Sequence, residues 1–152
     1  MTPEDQPTTG RFAGAEHRYP VRVYFEDTDL SGVVYHANYL RFMERARSDM
    51  LRLAGIDQRA AFAAGEGAYA VADLRIRFAA PARLDDALVV VSGLTAVRAA
   101  GVVIQQRVMR GALLLTEASV TAALVAPGGR AKRQPEAWTA IFRTLLAPEE
   151  LQ

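Results

Sequence analysis

The amino-acid sequence predicts an α+β fold in which a five-stranded antiparallel sheet wraps around one long central helix. Two patterns lead there. The segment from Ala37 to Gly55 repeats its apolar residues at helical spacing, whereas five other segments alternate or run apolar between short breaks. The apolar stripe of the helix is also wide, so a sheet has to cover it.

Taken in order, the first strand begins at Tyr19, where Val21, Val23 and Phe25 alternate with Arg22, Tyr24 and Glu26. The helix follows. Tyr39, Met43, Ala46, Met50 and Leu53 fall at i, i+4, i+7, i+11 and i+14, flanked by Leu40, Arg47 and Leu51. This spacing makes about five turns. Asn38 is placed as its N-cap and Gly55 as its left-handed C-terminal residue. After a loop through Gly65 and Gly67, Leu74, Ile76 and Phe78 alternate with Asp73, Arg75 and Arg77. Residues 87–99, 101–110 and 112–126 are three further strand segments. Breaks at Pro81, Ala100-Gly101 and Gly111-Ala112 imply antiparallel hairpins. Pro127-Gly128-Gly129 ends the last strand, and a short helix starts near Pro135.

Such a sheet keeps an exposed edge and an outer face carrying Val89, Val91, Leu113 and Leu115, which look too apolar for water. Pairing with further copies solves both problems, so a homodimer or homotetramer is expected. Residues 1–18, rich in Pro, Thr and Gly, are expected to form a disordered tail, and residues 19–152 the single domain.

Composition excludes several functions. The 152 residues carry 18 basic and 17 acidic side chains, a net charge of +1, without the basic excess of a nucleic-acid binder. No cysteine is present, which removes disulfides, thiolate metal sites and Cys nucleophiles. Two histidines, His17 and His36, are too few for a multi-His zinc centre. No apolar run spans a membrane, and the first residues lack the basic-then-apolar order of a signal peptide. A cytoplasmic location is the expectation.

Chemistry concentrates in one stretch. Glu26, Asp27 and Asp29 precede Gly32, which permits a tight turn, and His36 stands at the expected helix start. The first N–H groups of a helix lack internal partners and carry partial positive charge. A carbonyl oxygen placed on them is polarised as in an oxyanion hole. A carboxylate nearby suits attack on an activated acyl carbonyl, as nucleophile or as general base. Taken alone, Asp-x-x-Gly is more often an Asx-turn, and a lone His is more often a packing or capping residue. Glu26 and Asp27 are read as solvated or arginine-paired. As like charges they would favour the protonated form of Asp29.

The pattern YFEDTDLSGVVYHANYLRFMERARSDMLR, residues 24–52, resembles the hot-dog-fold acyl-CoA thioesterases of the 4-hydroxybenzoyl-CoA thioesterase type. Among these it resembles most the bacterial thioesterases associated with the Tol–Pal envelope system. The order of strand, helix and four strands extends the resemblance over roughly residues 19 to 146. The resemblance implies hydrolysis of an acyl-CoA or acyl-carrier-protein thioester to free acid and thiol. It places Asp29 at the catalytic carboxylate and His36 at the helix start whose main-chain N–H meets the thioester oxygen. Gly32 makes the turn between them, and Tyr35 and Asn38 match flanking motif positions that shape the pocket. Glu44 is read as structural or as a dimer contact. No metal or prosthetic group is needed, coenzyme A being part of the substrate. Its phosphates call for basic residues, for which Arg130, Lys132 and Arg133 are the candidates, with Arg75, Arg77 or Arg83 of a neighbour as alternatives. A hot-dog dehydratase or hydratase, or a non-catalytic acyl-thioester binding module, are the other readings.

Overall fold

The structure, a computed structural model, describes residues 2–147. Met1 and residues 148–152, counted above with the tail and the domain, lie outside them. The elements are β1 (Arg11–Ala13), β2 (Glu16–Arg22), α1 (His36–Leu53), α2 (Gln58–Ala63), β3 (Ala68–Phe78), β4 (Ala87–Val97), β5 (Gly101–Arg110), β6 (Leu113–Val125) and α3 (Glu136–Thr144). The strands form one antiparallel sheet in the order β1-β2-β4-β5-β6-β3. Among the described residues no helix is long and apolar enough to cross a membrane.

The hot-dog arrangement follows from what α1 needs. Its Tyr39, Phe42, Met43, Ala46 and Met50 are all buried. The first four meet the inward residues of the sheet: Leu88 and Val90 of β4, Val108 of β5, and Ala118 and Val120 of β6. At the far end Phe142 of α3 closes the layer against Met50, Ile56, Leu94 and Ile104. Most polar side chains caught in this layer are paired; among the described residues His17 Nδ1 and Thr116 Oγ1 are not. Gln106 of β5, fully buried, donates to Met43 O at 3.0 Å and to Ser92 Oγ at 2.9 Å, and accepts from Arg47 at 2.9 Å.

Besides the break at Pro81, which makes no hairpin because β3 pairs with β6 and β4 with β2 and β5, the structure corrects four expectations. First, residues 11–18 are not a disordered tail: β1 pairs with β2, which begins at Glu16, so the sheet has six strands rather than five. The cause is a buried polar cluster. His17 is fully buried, and its Nε2 lies 2.6 Å from Asp49 Oδ2 of α1. The backbone N–H of Gly10 donates to the same oxygen at 3.0 Å. A carboxylate under the sheet needs such donors, and the N-terminal segment brings them. Second, β2 ends at Arg22, and Phe25 sits on a single 3-10 turn with 81% of its surface exposed. Third, Leu115 belongs to the inner core. It is the extra residue of a bulge, since Val108 pairs with Thr116 and Met109 with Leu114. Fourth, Asn38 is not the N-cap of α1: the helix begins at His36 with Tyr35 before it. Gly55 does take the left-handed conformation, at φ 94°.

Gly10 tests the N-terminal seat. A Cβ there would stand 2.4 Å from Arg18 O and 2.8 Å from Asp49 Oδ2. Gly10→Ala is expected to destabilise the fold by about 1–3 kcal/mol, the usual scale of overpacking. The midpoint of urea unfolding checks it; an unchanged midpoint refutes the seat.

Candidate active site

The chain leaves β2 and makes three tight features before α1. The first is the 3-10 turn Phe25–Asp27. Asp27 is buried and does not sit in water or on an arginine, as the sequence suggested. Its carboxylate accepts from the Tyr24 N–H at 2.9 Å and from Asn38 Nδ2 at 2.8 Å. Its carbonyl accepts from the Tyr35 N–H at 2.9 Å. One acidic residue thus ties the loop to the first turn of the helix, and Asn38 acts through this bond rather than as a cap.

The second feature is the turn from Asp29 to Gly32, closed by the bridge between Thr28 and Val34. The Gly32 N–H donates to Asp29 O at 3.0 Å, and Gly32 has φ 81°, a conformation that suits glycine. The Asp29 carboxylate accepts from both the N–H and the hydroxyl of Ser31, so the turn is also an Asx-turn. Asp29 is exposed to solvent in the single chain. Its pKa lies below the usual carboxylate value, first because of the Ser31 hydroxyl and then the Ser31 N–H, with a smaller contribution from His36. The like charges of Glu26 and Asp27 do not raise it, contrary to the expectation: the donors of Ser31 favour the charged form.

The third feature is the start of α1. The Val34 N–H bonds Ala82 O at 2.8 Å, and the Asn38 N–H bonds Tyr35 O at 2.8 Å. Among the described residues, the N–H groups of His36 and Ala37 have no acceptor. They are the free donors that a helix start offers. Beside them lies an apolar cleft of about 280 Å³ lined by Val34, His36, Tyr39, Phe78, Ala80 and Pro81. Its aromatic rings are packed: Tyr35 to His36 at 4.6 Å, His36 to Phe78 at 6.1 Å and Tyr39 to Phe78 at 5.7 Å between centroids. The Tyr39 hydroxyl accepts from the Ala82 N–H at 2.9 Å, which anchors the cleft wall.

Asp29, Gly32, Tyr35, His36 and Asn38 therefore come together. The three basic candidates do not join them within one chain. Phe78 pairs with Thr116, whereas Ala68 pairs with Val125, which bridges to Ala131. Ten residues of β3 separate the two ends, about 33 Å at strand spacing. Lys132 is also engaged by Glu66 at 3.2 Å. Sequence reasoning missed Ser31, Asp27 and Phe78 as site residues. The Asp-x-Ser spacing could have revealed Ser31. The bond between Asp27 and Asn38 spans eleven residues and leaves no local signal. Among the described residues no three His, Asp or Glu side chains gather as a metal would require.

Comparison with known proteins places the chain in a family. The model of the thioesterase superfamily matches residues 31–116. The acyl-CoA thioesterase YbgC of Haemophilus influenzae is 44% identical over 107 residues, covering 70% of this chain and 79% of that protein. The acyl-CoA thioester hydrolase YbgC of Escherichia coli is 45% identical over 111 residues, covering 72% and 82%. The crystal structure of a probable thioesterase from Bartonella henselae superposes with a TM-score of 0.74 at 35% identity, covering 79% of this chain and 99% of that one. With the match of fold, motif and family together, the chain belongs to the thioesterase superfamily.

Proposed function

We propose that this chain hydrolyses acyl-CoA thioesters to free acid and coenzyme A at the amino end of α1. The observation that carries this reading is the pair of partnerless N–H groups at His36 and Ala37 beside a charged, ordered Asp29. The relatives, an acyl-CoA thioesterase and an acyl-CoA thioester hydrolase, supply acyl-CoA as the substrate class. The thioester oxygen lies on the two N–H groups, where negative charge develops as the carbonyl carbon becomes tetrahedral. Asp29 either attacks that carbon, giving a mixed anhydride that water then opens, or takes a proton from an attacking water. The thiolate of coenzyme A leaves and the acid is released. The His36 ring and Tyr35 line the approach. No metal or prosthetic group is called for, and an acyl-carrier-protein thioester meets the same site chemistry. We place the protein in the cytoplasm, which its lack of cysteine fits.

The site is completed by a second copy. β3 is an edge strand with unpaired backbone groups, and Val71 and Phe78 on it are exposed. Two β3 edges pairing antiparallel about a two-fold axis bring the Ala68 end of one copy beside the Phe78 end of the other. This carries the partner's Arg130, Lys132 and Arg133 toward the cleft, where they can meet the phosphates of coenzyme A. Two such dimers packed through the outer sheet face form the homotetramer.

Three outcomes test the reading. Asp29→Asn should keep the fold and slow thiol release about 10²-fold or more, the scale of a lost acid–base group; hydrolysis at the parent rate rejects the role. Ser31→Ala removes a donor that favours the charged carboxylate, so the pKa of Asp29 rises. The acid limb of the pH–rate profile should then move to higher pH, and an unmoved limb counts against Asp29 as the titrating group. Finally, Asp29→Asn chains mixed with chains carrying both Arg130→Ala and Arg133→Ala should recover part of the activity that each lacks at low acyl-CoA. Only a mixed dimer holds one intact composite site, so absence of recovery contradicts the pairing.

A further inference from the structure

A second cavity lies on the same side of α1 as the cleft at His36, farther along the helix. His36, Leu40, Glu44, Arg47 and Leu51 follow at steps of four, four, three and four residues, so they share one face of α1. β3 bounds the other side: Phe78 lines the cleft, and Tyr69 and Val71 line the second cavity. That second cavity measures about 70 Å³ and is walled by Glu44, Arg47, Leu51, Tyr69, Val71 and Ile104. A water-sized group needs about 10–15 Å³, so several fit.

Arg47 is the unusual member of this wall. It is half-buried, and one of its N–H groups donates to Gln106 Oε1 at 2.9 Å. Gln106 is itself held by Met43 and Ser92, so the guanidinium is fixed from below. Among the described residues no carboxylate pairs with Arg47 within 4.0 Å. The remaining N–H donors of the fork are spare, beside the apolar walls of Leu51, Val71, Val102 and Ile104. Partial burial lowers its pKa, while the field of Glu44, on the same helix face, opposes this. A fixed cation with spare donors calls for an oxygen acceptor.

We propose that this cavity receives the far end of the acyl group, and that Arg47 selects acyl chains ending in a hydrogen-bond-accepting oxygen over chains ending in a methyl. The inference rests on the reading of His36 as the thioester site. Arg47 lies eleven residues beyond His36, about 16 Å along the helix, so only medium or long acyl groups reach it. Glu44 weighs against a full negative charge, so hydroxyl-ended and carboxyl-ended chains form separate arms of the test.

The experiment is thiol release by the full-length protein from ω-hydroxyacyl-, ω-carboxyacyl- and methyl-ended acyl-CoAs of equal length, from short to long. At medium or long length, kcat/KM for at least one oxygen-ended series should exceed the methyl series by about tenfold, the scale of one hydrogen bond to a charged group. The gap should close for short chains. Arg47→Met should bring the ratio near one. Because that variant also strips Gln106 of a partner, its fold is checked by circular dichroism, and the parent's own ratio decides if it unfolds. Equal kcat/KM for matched chains at every length overturns the role of Arg47 and leaves the hydrolysis standing. A preference that survives in folded Arg47→Met also overturns it. No thiol release from any acyl-CoA overturns the reading of the site, and this inference with it.

Discussion

Burial of α1 is the constraint from which the rest follows. A helix with Tyr39, Phe42, Met43, Ala46 and Met50 on its covered side cannot stay in water, and the curled sheet removes that surface from it. Once covered, every polar atom in the layer needs a partner. The chain meets most of this with long-range pairs, Gln106 under Met43 and His17 with Gly10 around Asp49, and leaves His17 Nδ1 and Thr116 Oγ1 without a partner. The N-terminal hairpin is ordered by that demand, since its own three-residue strand could not hold it.

The same burial fixes the amino end of α1 in place. A helix held along its length presents its first N–H groups in one direction, as the proposed oxyanion site requires. Asp27 adds rigidity from the other side, by holding Tyr24 and Asn38 together. Neighbouring carboxylates thereby divide their duties. Asp27 is buried and occupied with structure, whereas Asp29 stands on a turn whose donors keep it charged. An exposed acid on a protruding turn is incomplete as an active site, and so is an apolar cleft open on one side. In the proposed dimer another copy placed against β3, the edge that also needs a strand, remedies both.

Helix and strand segments were legible because their signals are local. The apolar spacing of α1 and the alternation of β3 are properties of short windows, and so are the breaks that separate β4, β5 and β6. The turn at Gly32 and the left-handed Gly55 were legible for the same reason, since backbone conformation there depends on the residue itself. The motif from Tyr24 to Arg52 also carried the family, because the residues that build the helix start are contiguous in the chain.

Tertiary structure alone decided which carboxylate is buried, which side chain turns inward at a bulge, and whether the first residues join the sheet. Asp27 and Asp29 look alike in sequence and differ only in what surrounds them. Leu115 faces the core because a bulge interrupts the alternation. Within one chain, strand register sends Arg130 and its neighbours to the end of the sheet opposite Asp29 and His36. Each of these outcomes depends on contacts between residues far apart in the chain. Local propensity carries no record of such contacts, and only the closed sheet around α1 brings them about.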